Sequence, residues 1–187
     1  MVFLCTMFTT FRFLEITAVA LNLLFTWLYA QNNPWCFAVG VISPMIYIYI
    51  TYQRKIYADT FLQFFYIAST IAGYFRMSEQ WQQQSISPPT HLLLIGLLFV
   101  AVGISSKILR ARTDAALPSL DSLVTGLAII GTVLMMWPVH ACWLYLLAAN
   151  VLSLLLYANR KLYVSCGMFA IYIIMCIDAY WQIGLLI

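Results

Sequence analysis

Seven long apolar runs, separated by short polar segments, occupy most of this 187-residue chain. An α-helix rises about 1.5 Å per residue, so about 20 apolar residues cross the hydrocarbon core of a bilayer. Hydrophobic residues make up 64% of the chain and charged residues only 8%. A soluble core of this size cannot bury that much apolar surface. The sequence therefore predicts an all-α integral membrane protein with seven transmembrane helices.

The predicted spans cover residues 15–31, 34–52, 56–77, 90–106, 118–137, 140–158 and 162–185. They divide the chain into an amphipathic amino-terminal segment, a first three-helix repeat, an external polar loop, a connector helix, a cytoplasmic loop and a second three-helix repeat, at 1–14, 15–77, 78–89, 90–106, 107–117 and 118–187. The first segment lacks a basic n-region and a small-residue cleavage site. We therefore expect it to lie along the membrane surface, not to be removed as a signal peptide.

The basic residues separate almost completely onto one side of these spans. Of the nine Lys and Arg residues, only Arg76 falls on the other side. The remaining eight are Arg12, Arg54, Lys55, Lys107, Arg110, Arg112, Arg160 and Lys161. Because basic residues near span ends are retained in the cytoplasm, the amino terminus is predicted inside and the carboxyl terminus outside.

A duplicated pattern relates the two ends of the chain. The offset 160 − 54 = 106 places Arg54 on Arg160. The same offset aligns Lys55 with Lys161, Tyr57 with Tyr163, Tyr66 with Tyr172, Ile71 with Ile177 and Tyr74 with Tyr180. One helix separates the two copies, so both enter the membrane in the same direction and form parallel repeats in a 3+1+3 arrangement. Such repeats typically enclose a substrate site near the midplane, where the halves meet.

Specific motifs in both halves carry a family resemblance. Residues 55–66 read K-I-Y-A-D-T-F-L-Q-F-F-Y. Further matching residues are Leu14, Glu15, Pro34, Trp35 and Gly73 in the first half, and Asp121, Thr125, Trp143, Asn150, Lys161, Leu162 and Tyr163 in the second. Over residues 14–181 the chain resembles the nicotinamide riboside transporters, the PnuC-type vitamin transporter family.

The resemblance implies a seven-helix bundle similar to a full-length SWEET sugar transporter, but of opposite orientation. It also implies facilitated diffusion of a vitamin into a bacterium across the inner membrane, with the substrate trapped by a cytoplasmic kinase, and it suggests a homotrimer. We expect no cofactor, no metal and no nucleic-acid partner. The chain departs from the family at residues 74–77 and 178–179, where the family often has tryptophan and glycine. Thiamine and riboflavin therefore stay open as alternative substrates.

Polar and aromatic side chains inside the predicted spans are the candidate substrate contacts. Asp59, Gln63 and Tyr66 are spaced i, i+4, i+7 and share one helix face. Amides could bind the carboxamide and ribose of nicotinamide riboside, and aromatic rings could stack on its pyridinium cation. The predicted contacts are Gln63, Asn150, Tyr66, Trp143, Asn22, Tyr47 and Tyr172, with Asp59 and Asp121 at the cytoplasmic end of the pathway. Interhelical hydrogen bonding is the alternative role for the intramembrane amides.

The carboxylates fall near predicted span ends, where we expect water and basic neighbours to solvate them. Asp59 lies four residues from Lys55, and Glu15 lies three from Arg12, so local ion pairs are predicted for both. These positions argue against proton or sodium coupling.

Other readings of the chain stay open from the sequence. Gly40 and Pro44 are either a hinge or a packing kink, and pairing of Cys36 with Cys142 is undecided. No catalytic motif of an intramembrane enzyme is present, so we expect a protein that is not an enzyme. A signalling or assembly protein without transport is the alternative from another class.

Overall fold

The computed structural model describes residues 2–30, 33–76, 85–137 and 139–183, without the side chains of residues 2–10, 29, 30 and 76. Within these residues the chain forms seven α-helices: α1 Val2–Ala30, α2 Trp35–Gln53, α3 Tyr57–Arg76, α4 Pro88–Arg112, α5 Pro118–Met136, α6 Cys142–Asn159 and α7 Tyr163–Trp181. The predicted all-helical architecture is confirmed.

Two helices begin earlier than predicted. The first extends unbroken from Val2, so residues 2–14 continue α1 and do not form a separate segment. No proline or glycine interrupts this stretch. The fourth begins at Pro88, inside the predicted external loop, because proline is favoured in the first turn of a helix. The placement of residues 2–14 along the membrane surface stays a prediction, and most of the predicted loop, residues 78–84, lies outside the described residues.

Six of these helices are long and apolar enough to cross a membrane within the part of the chain that the structure describes. The exception is α3, which is 20 residues long but carries Asp59 and Gln63 along one face. These two polar side chains lower its hydropathy, and both are buried against other helices. The polar face of α3 is therefore buried inside the bundle.

The helices pack as a closed ring with one helix outside it. Neighbours in the ring follow the order α1, α2, α3, α5, α6, α7 and back to α1. The fourth helix packs against α5 and, less extensively, against α3. Much of its surface is apolar and exposed, including Leu92, Phe99 and Ile104. The ring places α3 against α5 and α1 against α7. These two contacts join the first three helices to the last three.

Close helix packing within the ring depends on small residues. A Cβ atom on Gly40 would lie 2.8 Å from the ring of Phe25 on α1 and 2.9 Å from Thr70 on α3. On α5, a Cβ atom on Gly131 would lie 2.7 Å from the side chain of Leu146 on α6. Gly40 therefore has a packing role, because it lets three helices approach closely.

The turns before α3 and α7 have the same backbone geometry. Lys55 and Lys161 both have φ of 61°, a left-handed conformation that is uncommon for residues other than glycine. In each turn the following residue closes the same hydrogen bond, from Ile56 N to Thr51 O and from Leu162 N to Tyr157 O, both 3.0 Å. The two turns also touch, since Arg160 Nε donates to the carbonyl oxygen of Arg54 at 2.7 Å.

Candidate substrate-binding site

A carboxylate from α5 binds the amino-terminal end of α3. Asp121 Oδ1 accepts a hydrogen bond from the backbone nitrogen of Asp59, and Oδ2 accepts one from that of Ala58, both at 2.9 Å. The first N–H groups of a helix have no partner within the helix, and here a neighbouring helix supplies it. Asp121 is 1% exposed. This contact ties the ends of α3 and α5 together away from solvent.

A second carboxylate makes the equivalent contact on the opposite side of the ring. Glu15 Oε1, on α1, accepts hydrogen bonds from the backbone nitrogen and the hydroxyl of Ser165 on α7, both at 3.0 Å. Glu15 and Asp121 are separated by 121 − 15 = 106 residues, and Ser165 and Asp59 by 165 − 59 = 106. The offset found in the sequence therefore also relates these two interhelical contacts.

Asp59 is the centre of a buried polar group that joins three side chains. The hydroxyl of Tyr157, on α6, donates to Asp59 Oδ2. The amide nitrogen of Gln63 donates to Oδ1 at 3.2 Å. Asp59 is 4% exposed and Gln63 is 6% exposed. Both carboxylate oxygens are thus occupied by donors from the bundle interior.

The predicted ion pair between Lys55 and Asp59 is wrong. Lys55 pairs instead with Asp114, in the segment between α4 and α5. Lys55 precedes the first residue of α3, and its backbone has a left-handed conformation. The i, i+4 spacing of a helix therefore does not apply to it. Hydrogen bonds from the Lys55 ammonium and the Tyr57 hydroxyl lower the pKa of Asp114, which is exposed.

The expectation that the span-end carboxylates are solvated is also wrong. Glu15, Asp59, Asp121 and Asp178 are each 4% exposed or less. For the first three, backbone N–H, hydroxyl and amide donors take the place of water. Their location near helix ends therefore carries no argument against ion coupling.

Further along the same two helix pairs lies a matching pair of tyrosine–threonine contacts. On the α1–α7 side, the Tyr172 hydroxyl lies 3.2 Å from Thr26 Oγ1 and donates to the carbonyl oxygen of Asn22 at 3.2 Å. On the α3–α5 side, the hydroxyl of Tyr66 likewise lies near that of Thr132. Tyr66 and Tyr172 are 106 residues apart, as are Thr26 and Thr132.

Asn22, Tyr47 and Tyr172 are brought together on the α1–α7 side. The Tyr47 hydroxyl donates to Ser165 Oγ at 3.2 Å and lies 3.7 Å from the sulfur of Met168. Asn22 Nδ2 lies 3.5 Å from the same sulfur. These three predicted site residues therefore form one group, which is held together by contacts with side chains of α7.

Gln63, Tyr66, Asp59 and Asp121 form the other group, on the α3–α5 side. The rings of Tyr47 and Tyr157 link the two groups, with centroids 6.5 Å apart.

The remaining two predicted contacts lie on α6. Asn150 Nδ2 lies 3.6 Å from the sulfur of Cys176 on α7. Trp143 is half-buried and packs, like Tyr66, against the apolar cluster around α5 and α6. The structure does not join either side chain to the two polar groups through a described hydrogen bond. Cys36 and Cys142 are buried free thiols.

Sequence reasoning missed several members of these groups. Tyr157, Ser165, Thr26 and Thr132 were not among the predicted contacts, and no interhelical partner was predicted for Glu15. The offset of 106 was the available signal, because it maps Asp121 onto Glu15 and Tyr172 onto Tyr66. Applying it to every polar residue would have paired the two carboxylates.

A protein-family model described as nicotinamide mononucleotide transporter matches residues 12–182. The chain belongs to the nicotinamide mononucleotide transporter family. The resemblance inferred from residues 55–66 is therefore confirmed at the level of the family. No curated protein matches the chain.

The fold of this family member is similar to that in a crystal structure of the vitamin B3 transporter PnuC, with a TM-score of 0.74. The two chains share 18% sequence identity, and the match covers 95% of this chain and 83% of that chain. Membership in a transporter family, together with six membrane-spanning candidates, identifies a multi-pass membrane transport protein.

Proposed function

We propose that the protein carries nicotinamide riboside across the inner membrane of a bacterium by facilitated diffusion, and that phosphorylation by a cytoplasmic kinase retains the substrate for NAD synthesis. The observation that carries this proposal is the family match over residues 12–182. The amides and aromatic rings around α3, α6 and α7, which are buried or half-buried, support it, because they offer the hydrogen bonds and cation–π faces that a pyridinium nucleoside needs.

The electrostatics of the buried groups favour a nucleoside over its phosphate ester. A helix amino terminus is a natural place for a phosphate to bind. In this chain Asp121 and Glu15 already occupy the amino termini of α3 and α7. Asp59 adds a third carboxylate to the same region. A phosphate would find the amino termini of both helices already occupied, which favours a nucleoside as the substrate.

Gln63 is the contact with the best-defined orientation. The amide nitrogen of Gln63 donates to Asp59 Oδ1, and this hydrogen bond orients the amide. Its carbonyl oxygen then points away from Asp59 and can accept from the substrate carboxamide. Asn150, Tyr66, Trp143, Asn22, Tyr47 and Tyr172 complete the proposed binding residues, while Asp59 and Asp121 lie at the cytoplasmic end of the pathway.

We further propose that α1–α3 and α5–α7 are parallel repeats joined by α4, in a 3+1+3 arrangement like that of full-length SWEET proteins. Support comes from the matching turns at Lys55 and Lys161 and from the paired contacts of Glu15 and Asp121. Packing adds to it, since Phe25 against Gly40 in one half corresponds to Gly131 against Leu146 in the other, with large and small residues exchanged. The segregated basic residues favour a cytoplasmic amino terminus. We propose a homotrimer on family resemblance alone.

Uptake of labelled nicotinamide riboside into proteoliposomes tests the transport proposal. We expect saturable uptake that equilibrates the substrate and does not require a proton or sodium gradient. Gln63→Ala and Asn150→Ala should each weaken substrate binding about 10-fold, because each loses about one hydrogen bond in a buried site. Their helical content and melting temperature should stay close to wild type.

The matched control is Gln53→Ala, which removes an exposed glutamine at the end of α2 and should leave uptake unchanged. Accumulation that requires an ion gradient would overturn facilitated diffusion. Uptake that is equal in wild type and in both buried-amide variants would overturn the site assignment. If those variants alter folding, and the wild-type protein neither binds nor transports a vitamin, a signalling or assembly role would be favoured.

A further inference from the structure

Two hydroxyl oxygens on α5 are buried and lack a hydrogen-bond partner among the described residues. They are Ser122 Oγ and Thr125 Oγ1. Ser122 is 4% exposed and Thr125 is 7% exposed. Buried polar atoms in proteins almost always have a partner, so each exception calls for an explanation. In a transporter, the substrate is one group that can supply such a partner.

The contacts of α5 with α3 locate Thr125. Asp121 binds the first turn of α3 at Asp59, and Thr132 lies near Tyr66 further along. Both helices therefore run in the same direction across this interface. Thr125 lies one turn after Asp121 and two turns before Thr132, so all three share the face of α5 that meets α3. Gln63 lies at the corresponding level on α3, one turn after Asp59.

Ser122 lies on a different side of the same helix. It follows Asp121 by one residue, which rotates it about 100° around the helix axis. That rotation brings it towards the side of Gly126, whose Cβ position would lie 2.4 Å from Leu98 on α4. Of the two unpartnered hydroxyls, only Thr125 therefore faces the interface that contains Gln63.

We infer that Thr125 is a further substrate-binding residue, whose hydroxyl exchanges a hydrogen bond with a ribose hydroxyl or the carboxamide of a nucleoside-like substrate. This inference rests on the proposed function and extends its site from α3 onto α5. A hydroxyl both donates and accepts, so it suits a ribose, whose own hydroxyls do the same. Thr125 on α5 and Gln63 on α3 then bind the substrate from the two halves of the molecule. Both lie at the α3–α5 interface, one turn beyond the contact between Asp121 and the first turn of α3.

Replacement of Thr125 by valine tests this inference, because valine keeps the shape and removes the hydroxyl. We expect Thr125→Val to raise the Kd for nicotinamide riboside about 3- to 20-fold, as loss of one hydrogen bond does. The melting temperature of the ligand-free protein should stay equal or rise, because an unpartnered buried hydroxyl is removed. Thr125→Ser, which keeps the hydroxyl, should bind more tightly than Thr125→Val.

Ser122→Ala is the matched control, since it removes an equally buried and unpartnered hydroxyl that faces away from α3. Its Kd should equal that of wild type. A Thr125→Val protein that binds as wild type does, or that melts lower with unchanged Kd, would show a structural hydroxyl and overturn the inference while leaving the proposed function in place. Failure of the wild-type protein to bind nicotinamide riboside would overturn the proposed function and this inference together.

Discussion

Asp121→Ala is expected to lower the free energy of unfolding by about 3–6 kcal/mol, because two hydrogen bonds from backbone N–H groups to a carboxylate are lost, each contributing about 1.5–3 kcal/mol. The buried N–H of Asp59 and the half-buried N–H of Ala58 would then have no acceptor. Chemical unfolding in detergent micelles, followed by tryptophan fluorescence, measures the change.

Glu15→Ala should show a comparable loss, because Glu15 makes the equivalent contact at α7. Asp114→Ala is the control. Asp114 also binds a neighbouring segment, through Lys55 and Tyr57, but it is exposed, so its removal should change stability little. If Asp121→Ala unfolds like Asp114→Ala, the carboxylate contacts do not hold the two halves together.

The second large effect is expected at Asp59. Asp59→Ala leaves the buried Tyr157 hydroxyl without its acceptor and frees the amide of Gln63 to rotate. We expect the free energy of unfolding to fall by about 2–4 kcal/mol. Affinity for nicotinamide riboside should fall about 100-fold, which corresponds to about 2.7 kcal/mol. Calorimetric titration and chemical unfolding of the same preparation measure both quantities.

Tyr157→Phe separates the two consequences of losing Asp59. It removes the donor to Oδ2 but keeps Gln63 bound to Oδ1. We therefore expect a smaller loss of affinity than in Asp59→Ala, with Gln63 still oriented. Equal losses of affinity in the two variants would mean that Gln63 orientation is unimportant. An Asp59→Ala protein that is destabilised but binds normally would assign Asp59 a purely structural role.

The sequence predicts the helices well because the membrane leaves few choices for an apolar run of 20 residues. The bounds of α2, α5 and α6 differ from the predicted spans by at most two residues. The start of α1 was harder to predict. The predicted span began at residue 15, but nothing in residues 2–14 breaks a helix, and α1 begins at Val2.

The site was predictable only where its geometry is local. The spacing of Asp59 and Gln63 within α3 predicts a shared face, and their side chains are hydrogen-bonded. The partners of Glu15 and Asp121 come from helices about 150 and 60 residues away in the chain, so spacing along one helix gives no information about them. Thr125 matches the family in sequence, but its buried hydroxyl is seen to lack a partner only when coordinates are available.

The most direct test of the account is a calorimetric titration of the detergent-purified wild-type protein with nicotinamide riboside, nicotinamide mononucleotide, thiamine and riboflavin in parallel. Binding to the folded state also raises the melting temperature, which provides a second readout on the same samples. The account predicts saturable binding of nicotinamide riboside, with at least about 10-fold weaker binding of the mononucleotide and of the two other vitamins. Tighter binding of the mononucleotide, or binding of thiamine or riboflavin alone, would contradict it.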